Sequence, residues 1–446
     1  MIPVSLGWSL SDVADAVSGE LVGESSILIE TVATDSRQTL DGALFVALAG
    51  ETFNGHSFAV QALETGAVAV MVERGAGITV TPRIEVESTG DALAHLAIKR
   101  RDELSIPVVA ITGSTGKTST KDLLSAGLDG SWVSPRSFNN EIGVPLTVLS
   151  TPSDASVLVV EVGSRGRGHI EWLAPMIRPD IAVITNLGVV HLETFGSLSG
   201  LADAKYELVE ALSDDGVAIL PYGEESLARG GPHRTMTFGD AGADVQVSDI
   251  SIDDLGRPSF LIRTDQSEHR VVLPLSGKHH GTNAAAAIAV ARTLGIDVEA
   301  FIDRLGAATA SAWRMEIHEG SYTVVNDAYN ANPQSVESAL ETVAAMPGRH
   351  VAVLGVMAEL GPVCEQEHLR LGELVSKSGF AELVVVGSDH GYAVGFGAGA
   401  RKVTDIEEAA DTLASIVQPG DVVLVKASRS ASLERLAHWL IEDAAS

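Results

Sequence analysis

Cysteine is almost missing from this 446-residue chain: Cys364 stands alone, which excludes an intramolecular disulfide and any CxxC metal or redox pair. A reducing compartment follows from that usage, and the thiol itself reads as incidental. Positive charge is also scarce. The chain has 8 Lys and 22 Arg against 59 Asp and Glu, a formal net charge of −29, with no Lys/Arg stripe. Such a balance excludes general binding of nucleic acid or of an anionic membrane surface and means chiefly solubility. If a ligand is itself anionic, its site must be a local exception built from a few Lys, Arg, backbone N–H groups or metal ions. Long apolar runs are absent too. Nothing approaches the roughly 18 residues of a membrane span, and the opening MIPVSLGWSLSD lacks the cationic and apolar regions of a secretory signal. The expectation is a soluble cytoplasmic protein without membrane insertion.

With 45% hydrophobic residues, this length predicts two to four domains of about 100–200 residues, each able to bury a core. Residues 1–105 read as a small α/β unit, with strands near 44–48 and 67–72 and a closing helix. In that helix Leu93, Leu96, Ala97 and Leu104 form the apolar stripe, while Arg100 and Arg101 are expected to face outward. Pro107 breaks it and marks a domain junction. A central α/β unit, 106–312, follows, with apolar runs at 108–112, 157–162, 181–185 and 217–220 alternating with helical stretches, as in a mainly parallel sheet covered on both faces. Between 244 and 275 the pattern turns to short alternating segments, predicting antiparallel hairpins before an alanine-rich helix at 283–294 that ends at Gly295. The third unit, 313–446, is predicted to be doubly wound α/β, with strands near 322–325, 350–354, 383–386 and 422–425.

The strongest chemical signal is TGSTGKT at 112–118, between a β-branched run and a helical one. Successive backbone N–H groups in a glycine loop at a helix N-terminus concentrate positive potential where phosphates bind. Gly113, Ser114, Thr115, Gly116, Lys117, Thr118 and Ser119 are the nucleotide-binding candidates. Lys117 would reach the β- and γ-phosphates and Thr118 would offer its hydroxyl to Mg²⁺. The full pattern wants a further glycine where Ile111 stands, so the match is to a shortened form. Glu161 ends the next apolar strand, where a carboxylate suits Mg²⁺ but a solvated turn fits equally. A lone His191 is usually structural, and Lys205, in ADAKYE, reads by itself as a surface residue. The polar turn NDAYNANP at 326–333 sits between a strand and a helix expected from Gln334, a placement that favours a ligand site. Gly395-Phe396-Gly397-Ala398-Gly399 does not follow a strand and reads as a flexible loop rather than a dinucleotide fingerprint.

The ordered motifs, taken together, resemble the Mur ligase family over essentially the whole chain, and within it the dipeptide-adding branch. They are TDSR (34–37), LFVALAGETFNGHSF (44–58), TGSTGKTST (112–120), SFNNEIGVP (137–145), EVGSRGRGHI (161–170), TNLGVVHLETFGS (185–197), ADAKYE (202–207), GKHHGTNAAAA (277–287), Trp313-Arg314, NDAYNANPQS (326–335) and LGVMAELG (354–361). The resemblance implies three α/β domains: a UDP-binding one, a P-loop ATP-binding one and a Rossmann-like one that brings the incoming amine. It implies an ATP-dependent ligase that activates a carboxylate as an acyl phosphate, with UDP-MurNAc-tripeptide, D-Ala-D-Ala and ATP as small-molecule partners, acting as a monomer. Carried over residue by residue, Ser36 and Arg37 lie near the uridine diphosphate, and Asn139, Asn140, Asn330 and Asn332 near substrate. Thr118 and Glu161 match the first Mg²⁺ site, and His191 a second. Lys205 matches a lysine carboxylated by CO₂, which turns a cation into an anion beside two divalent metals. Asn283 matches an adenine contact, Arg314 a residue reaching the γ-phosphate, and Asp327 a ribose or phosphate contact. Lys117, His191, Lys205 and Arg314 would be the catalytic residues.

The chain departs from the family's common pattern at Val356 and Asn54, where acidic residues are usual, and at His280, where Asn is usual; the carboxylate missing at Val356 would serve either recognition of the amine or a supporting role. A sister ligase with another amine acceptor, or a folylpolyglutamate-type synthetase, is the rival within the fold. Against both stand NDAYNANPQS and LGVMAELG, and the Asp-Asn-Pro-Arg signature of diaminopimelate-adding enzymes is missing from the third unit. A P-loop regulator that forms no bond would not need His191, Lys205 and a UDP-type first domain together.

Overall fold

The computed structural model describes residues 6–50, 53–188, 195–387 and 391–445, and within them the chain builds three α/β sheets in sequence order. The first has five strands in the order Glu20–Val22, Arg83–Val86, Ala69–Glu73, Ala43–Val46, Thr31–Ala33, parallel except at the Glu20–Val22 edge. Its closing helix, Thr89–Glu103, starts where the Ser88 side chain accepts from Asp91 N at 3.2 Å and stops at an extended Leu104 just ahead of Pro107.

That helix corrects one expectation. Its two arginines do not face solvent: Arg100 is 5% exposed and donates to Thr151 O at 2.7 Å, while Arg101 donates to Ile177 O at 2.7 Å and Arg178 O at 3.0 Å. The apolar stripe accounts for one side of the helix, and the helices Gly143–Leu149 and His169–Ile177 of the next unit cover the other. Long guanidinium stems bury their methylenes there while their heads satisfy carbonyls at helix ends. A single apolar core therefore runs from Leu10 and Leu44 through Leu96 to Leu158 and Ile184, across both sheets.

The second sheet has nine strands in the order Glu268–Val272, Pro258–Arg263, Val245–Ile252, Arg234–Gly239, Val217–Pro221, Ile181–Ile184, Val108–Thr112, Val157–Glu161, Ser131–Val133. Pairing is parallel from Val245–Ile252 onward, and the first three strands form the expected antiparallel meander. The alanine-rich helix, His280–Thr293, packs on this sheet and on the helix Lys117–Gly127, and Gly295 closes it with a φ of +72°.

The third sheet, ordered Glu316–His318, Thr323–Asn326, Asp421–Lys426, Arg349–Leu354, Glu382–Val386, Arg401–Val403, is parallel except at its first strand, and its apolar clusters contain no residue before Met315. The glycine-rich stretch near 395 is also not a loop throughout: Gly391–Phe396 is a short helix lying against Cys364–Lys377. A Cβ on Gly395 would overlap Leu369 O and come within 2.7 Å of Glu373 N, so glycine here permits close helix approach rather than flexibility. No helix among the described residues is long and apolar enough to cross a membrane.

Candidate active site between the second and third sheets

The P-loop strand Val108–Thr112 is wholly buried between neighbours Ile181–Ile184 and Val157–Glu161, so its loop emerges at the carboxyl edge of a parallel sheet, where ligands of α/β folds bind. Gly113 and Gly116 have φ of +148° and +80°. A side chain at Gly113 would overlap Thr185 Oγ1, and one at Gly116 would come within 2.6 Å of Asn283 Oδ1. The loop is held from behind: Thr115 N donates to Asn186 Oδ1 at 2.8 Å, Ser114 N to Asn186 O at 3.1 Å, and Thr185 Oγ1 to Thr115 O at 2.5 Å. Lys117 Nζ folds back onto Gly113 O at 2.6 Å, and burial lowers its pKa.

Beside it, Glu161 is 1% exposed yet has only neutral hydrogen-bond partners: Thr118 Oγ1 donates to Oε2 at 2.9 Å and Asn139 Nδ2 to Oε1 at 2.8 Å. A buried carboxylate so placed favours a cation, and the surrounding hydroxyl and amide oxygens are hard donors that suit Mg²⁺. Among the described residues no three His, Cys, Asp or Glu side chains come together as a metal cluster, and His191 lies outside those residues. Lys205 is 2% exposed and lines the same cavity. Its Nζ makes no hydrogen bond or ion pair among the described residues and lies 5.9 Å from the Phe195 ring. Burial, reinforced by the charge of Lys117, drives its pKa well below the ordinary lysine value.

From the third sheet come Asp327, Asn330 and Asn332. Asp327 Oδ2 accepts from Lys426 Nζ at 2.5 Å and Oδ1 from Met315 N at 3.2 Å; Lys426 Nζ also donates to Asn330 O at 3.0 Å. Asn332 is the N-cap of the helix Pro333–Ala344, its Oδ1 accepting from Ser335 N at 2.9 Å, so part of the polar density of this turn is helix-capping chemistry. Arg314 joins the two sheets: its guanidinium lies 4.1 Å over the Tyr329 ring and donates to Ser137 Oγ at 3.4 Å. The backbone on either side is left-handed, with φ of +61° at Trp313 and +50° at Met315.

These groups line one cavity of about 1100 Å³ between the second and third sheets. Gly113 to Ser119, Asn139, Asn140, Glu161, Lys205, Asn283, Arg314, Asp327, Asn330 and Asn332 all reach it. Ser36 and Arg37 do not: they sit on a loop of the first sheet, where Arg37 is bound to Asp35 at 2.7 Å with its side chain 87% exposed. Six Lys and Arg face four Asp and Glu in the lining, a local reversal of the −29 overall. Two lining residues also carry orphaned donors: Asn283 Nδ2 and Arg314 Nε are buried without a partner among the described residues.

Several cavity residues escaped sequence reasoning. Lys426 carried a signal, a lysine closing the apolar run 422–425 as Glu161 closes another. Arg165, His169 and His279 carried none, because only tertiary packing brings them to the wall. Val356 lines a different cavity, of about 840 Å³, with Glu365 and Asp405. Asn54 accepts from His56 N at 3.0 Å as the cap of a short helix, and His280 packs 4.3 Å from the His279 ring.

Comparison with known proteins gives three consecutive family matches: the Mur ligase family catalytic domain over residues 28–110, the Mur ligase middle domain over 111–291, and the Mur ligase glutamate ligase domain over 313–429. The UDP-N-acetylmuramoyl-tripeptide–D-alanyl-D-alanine ligase of Escherichia coli is 34% identical over 98% of each chain, and the Bacillus subtilis enzyme of the same name is 34% identical over 97% of this chain and 98% of its own. Among solved structures, MurF from Acinetobacter baumannii superposes with a TM-score of 0.89 at 29% identity, covering 99% of this chain and all of that one. MurF ligase from Thermotoga maritima in complex with ADP gives 0.82 at 31% identity over 93% and 97%. With relatives this similar matched from end to end, the chain belongs to the Mur ligase family.

Proposed function

We infer that this protein joins D-alanyl-D-alanine to UDP-N-acetylmuramoyl-tripeptide at the expense of ATP, releasing ADP and phosphate and forming the pentapeptide precursor of peptidoglycan. The observation that carries the reading is the shared cavity: a P-loop, a buried Glu161 and a buried Lys205 from the second unit face the NDAYNANP turn of the third. Full-length similarity to ligases of that name supports the substrates.

The chemistry follows from what a carboxylate needs. An amine cannot displace oxide, so the tripeptide carboxylate first attacks the γ-phosphorus of ATP; an O–P bond forms, the bond to ADP breaks, and the product is an acyl phosphate. The loop N–H groups and Lys117 would hold the transferring phosphoryl group and balance its charge, with Arg314 reaching it from the junction. The dipeptide amine, having lost its ammonium proton, then attacks the carbonyl carbon, and the tetrahedral species expels phosphate. Asn283 would meet adenine, and Asp327 the ribose or phosphates. Thr118 and Glu161 would hold one Mg²⁺ and His191 with Lys205 a second; when bound, these ions neutralise phosphate charge. Burial that drives the Lys205 pKa well below the ordinary lysine value favours the amine form that takes up CO₂, which supports carboxylation of Lys205. Residues 1–105 would hold the UDP end through Ser36 and Arg37, 106–312 the ATP, and 313–446 the incoming amine, with Asn139, Asn140, Asn330 and Asn332 near substrate. We place the enzyme in the cytoplasm as a monomer, where its nucleotide substrates are.

The test is phosphate release from ATP with UDP-N-acetylmuramoyl-tripeptide and Mg²⁺, with and without D-alanyl-D-alanine, reading the product mass in parallel. Release that requires the dipeptide, with a product heavier by one dipeptide less water, is expected. Turnover with a different amine only would move the assignment to a sister ligase.

A further inference from the structure

The helix His169–Ile177 starts at Gly168 without a side-chain cap from its own segment. Its leading N–H groups are met from elsewhere: Glu207 Oε1 accepts from Gly168 N at 2.6 Å, and Oε2 accepts from Ile170 N and Glu171 N, each at 3.1 Å. A carboxylate there satisfies three donors that a helix start leaves open and sits at the positive end of its dipole. Glu207 stands two residues after Lys205 on the helix Leu198–Glu210, so the two side chains leave the axis about 200° apart. Lys205 reaches the cavity, and Glu207 grips the neighbouring helix. The segment entering that helix comes directly from Glu161, and its Arg165 N donates to His169 Nδ1 at 3.0 Å. One carboxylate thus ties the helix that carries Lys205 to the loop that leaves Glu161.

We propose that Glu207 is a positioning residue that holds Lys205 in register with Glu161 and thereby sets how readily Lys205 is carboxylated. This rests on the carboxylated-lysine reading above. In that reaction the neutral amine of Lys205 forms an N–C bond to CO₂ and gives its surplus proton to water. Lys205 shares its cavity with Glu161 and Thr118, and a displaced lysine would present the added carboxylate less well to a cation held there. Gln at 207 keeps the shape but leaves one carbonyl for three N–H donors and turns an NH₂ toward them. Asp keeps the charge but falls one methylene short.

The experiment compares wild type, Glu207→Gln, Glu207→Asp and, as a control, the exposed Glu210→Gln on the same helix. Lys205 occupancy is read from the carbamate carbonyl resonance during titration with ¹³C-bicarbonate at fixed pH and Mg²⁺, alongside turnover and thermal midpoint. Glu207→Gln should need about tenfold more bicarbonate for half occupancy, the scale of one lost charge-assisted hydrogen bond. Turnover at saturating bicarbonate and the KM for ATP should stay near wild type, Glu207→Asp should fall between, and Glu210→Gln should not shift. Equal half-occupancy in wild type and both Glu207 variants, whatever happens to the thermal midpoint, would reduce Glu207 to a structural cap and overturn the proposal. No carbamate resonance in wild type would instead remove the carboxylation reading, and the positioning role with it.

Discussion

Lys121, Lys205 and Lys426 are each 2% exposed, and they solve the problem of a buried ammonium in three ways. Lys121 donates to Ser134 O and Arg136 O and also lies 3.3 Å from Asp122. Lys426 is paired with Asp327, and at Lys205 burial instead pushes the pKa well below the ordinary lysine value. The second arrangement has a measurable signature. Lys426→Met strands the Asp327 carboxylate among buried groups, and unfolding by urea should register a loss of about 3–5 kcal/mol. Pairing it with Asp327→Asn should recover most of that stability, because no unmatched charge remains. If the single variant is as stable as wild type, the pair does not hold the third sheet's edge together.

At the scale of elements, the contacts between the second and third sheets are polar. His279 Nδ1 lies 2.9 Å from Ser338 Oγ, and Asn186 Nδ2 donates to Gln334 Oε1 at 3.2 Å. Burial pushes the His279 imidazole down from 6.5 to about 4; Asp327 opposes this, and Lys426 and Arg314 add to it. Between those values the unfolded chain binds a proton that the folded chain refuses, so stability rises with pH across the window. The contribution is complete above about pH 6.5 and is lost as pH falls toward 4. Thermal midpoints measured over that range should drop more steeply in wild type than in His279→Gln; parallel slopes would place the titrating group elsewhere.

Over the whole molecule, the first two sheets share one apolar core, whereas the third has clusters of its own that begin at Met315. Polar pairs, His279 with Ser338, Asn186 with Gln334 and Arg314 with Ser137, join the two bodies, a pattern expected of surfaces that move against each other. Calorimetry should resolve two transitions, and limited proteolysis in the segment 306–313 should release a folded C-terminal piece while leaving the first two sheets as one unit. A single concerted transition, with no stable fragment, would contradict this division. The same layout gathers Lys117, Arg165, Arg314, Lys426 and Arg429 into the cavity between the bodies of a chain whose formal net charge is −29, so anionic substrates meet basic groups that the average hides.

Local patterns were enough to read much of this protein from its residues. The strand, glycine loop and helix around Lys117 announce themselves because a β-branched run, two glycines and a helical stretch follow one another within a few residues, and the antiparallel meander of 245–272 follows from alternation. Glu161 and the 326–333 turn were visible because each ends an apolar strand at the sheet edge where ligands bind. What the chain could not disclose locally depends on what packs against it. Arg100 and Arg101 sit on the polar side of an amphipathic helix and still end up covered, since a second unit supplies carbonyls for them. Gly395 looked flexible because glycine permits both freedom and close approach, and only the neighbouring helix decides which. Lys205 reads as a surface residue from its helix alone; its burial and its lowered proton affinity exist only once distant segments are brought together, because desolvation is a property of the assembled interior and not of sequence neighbours.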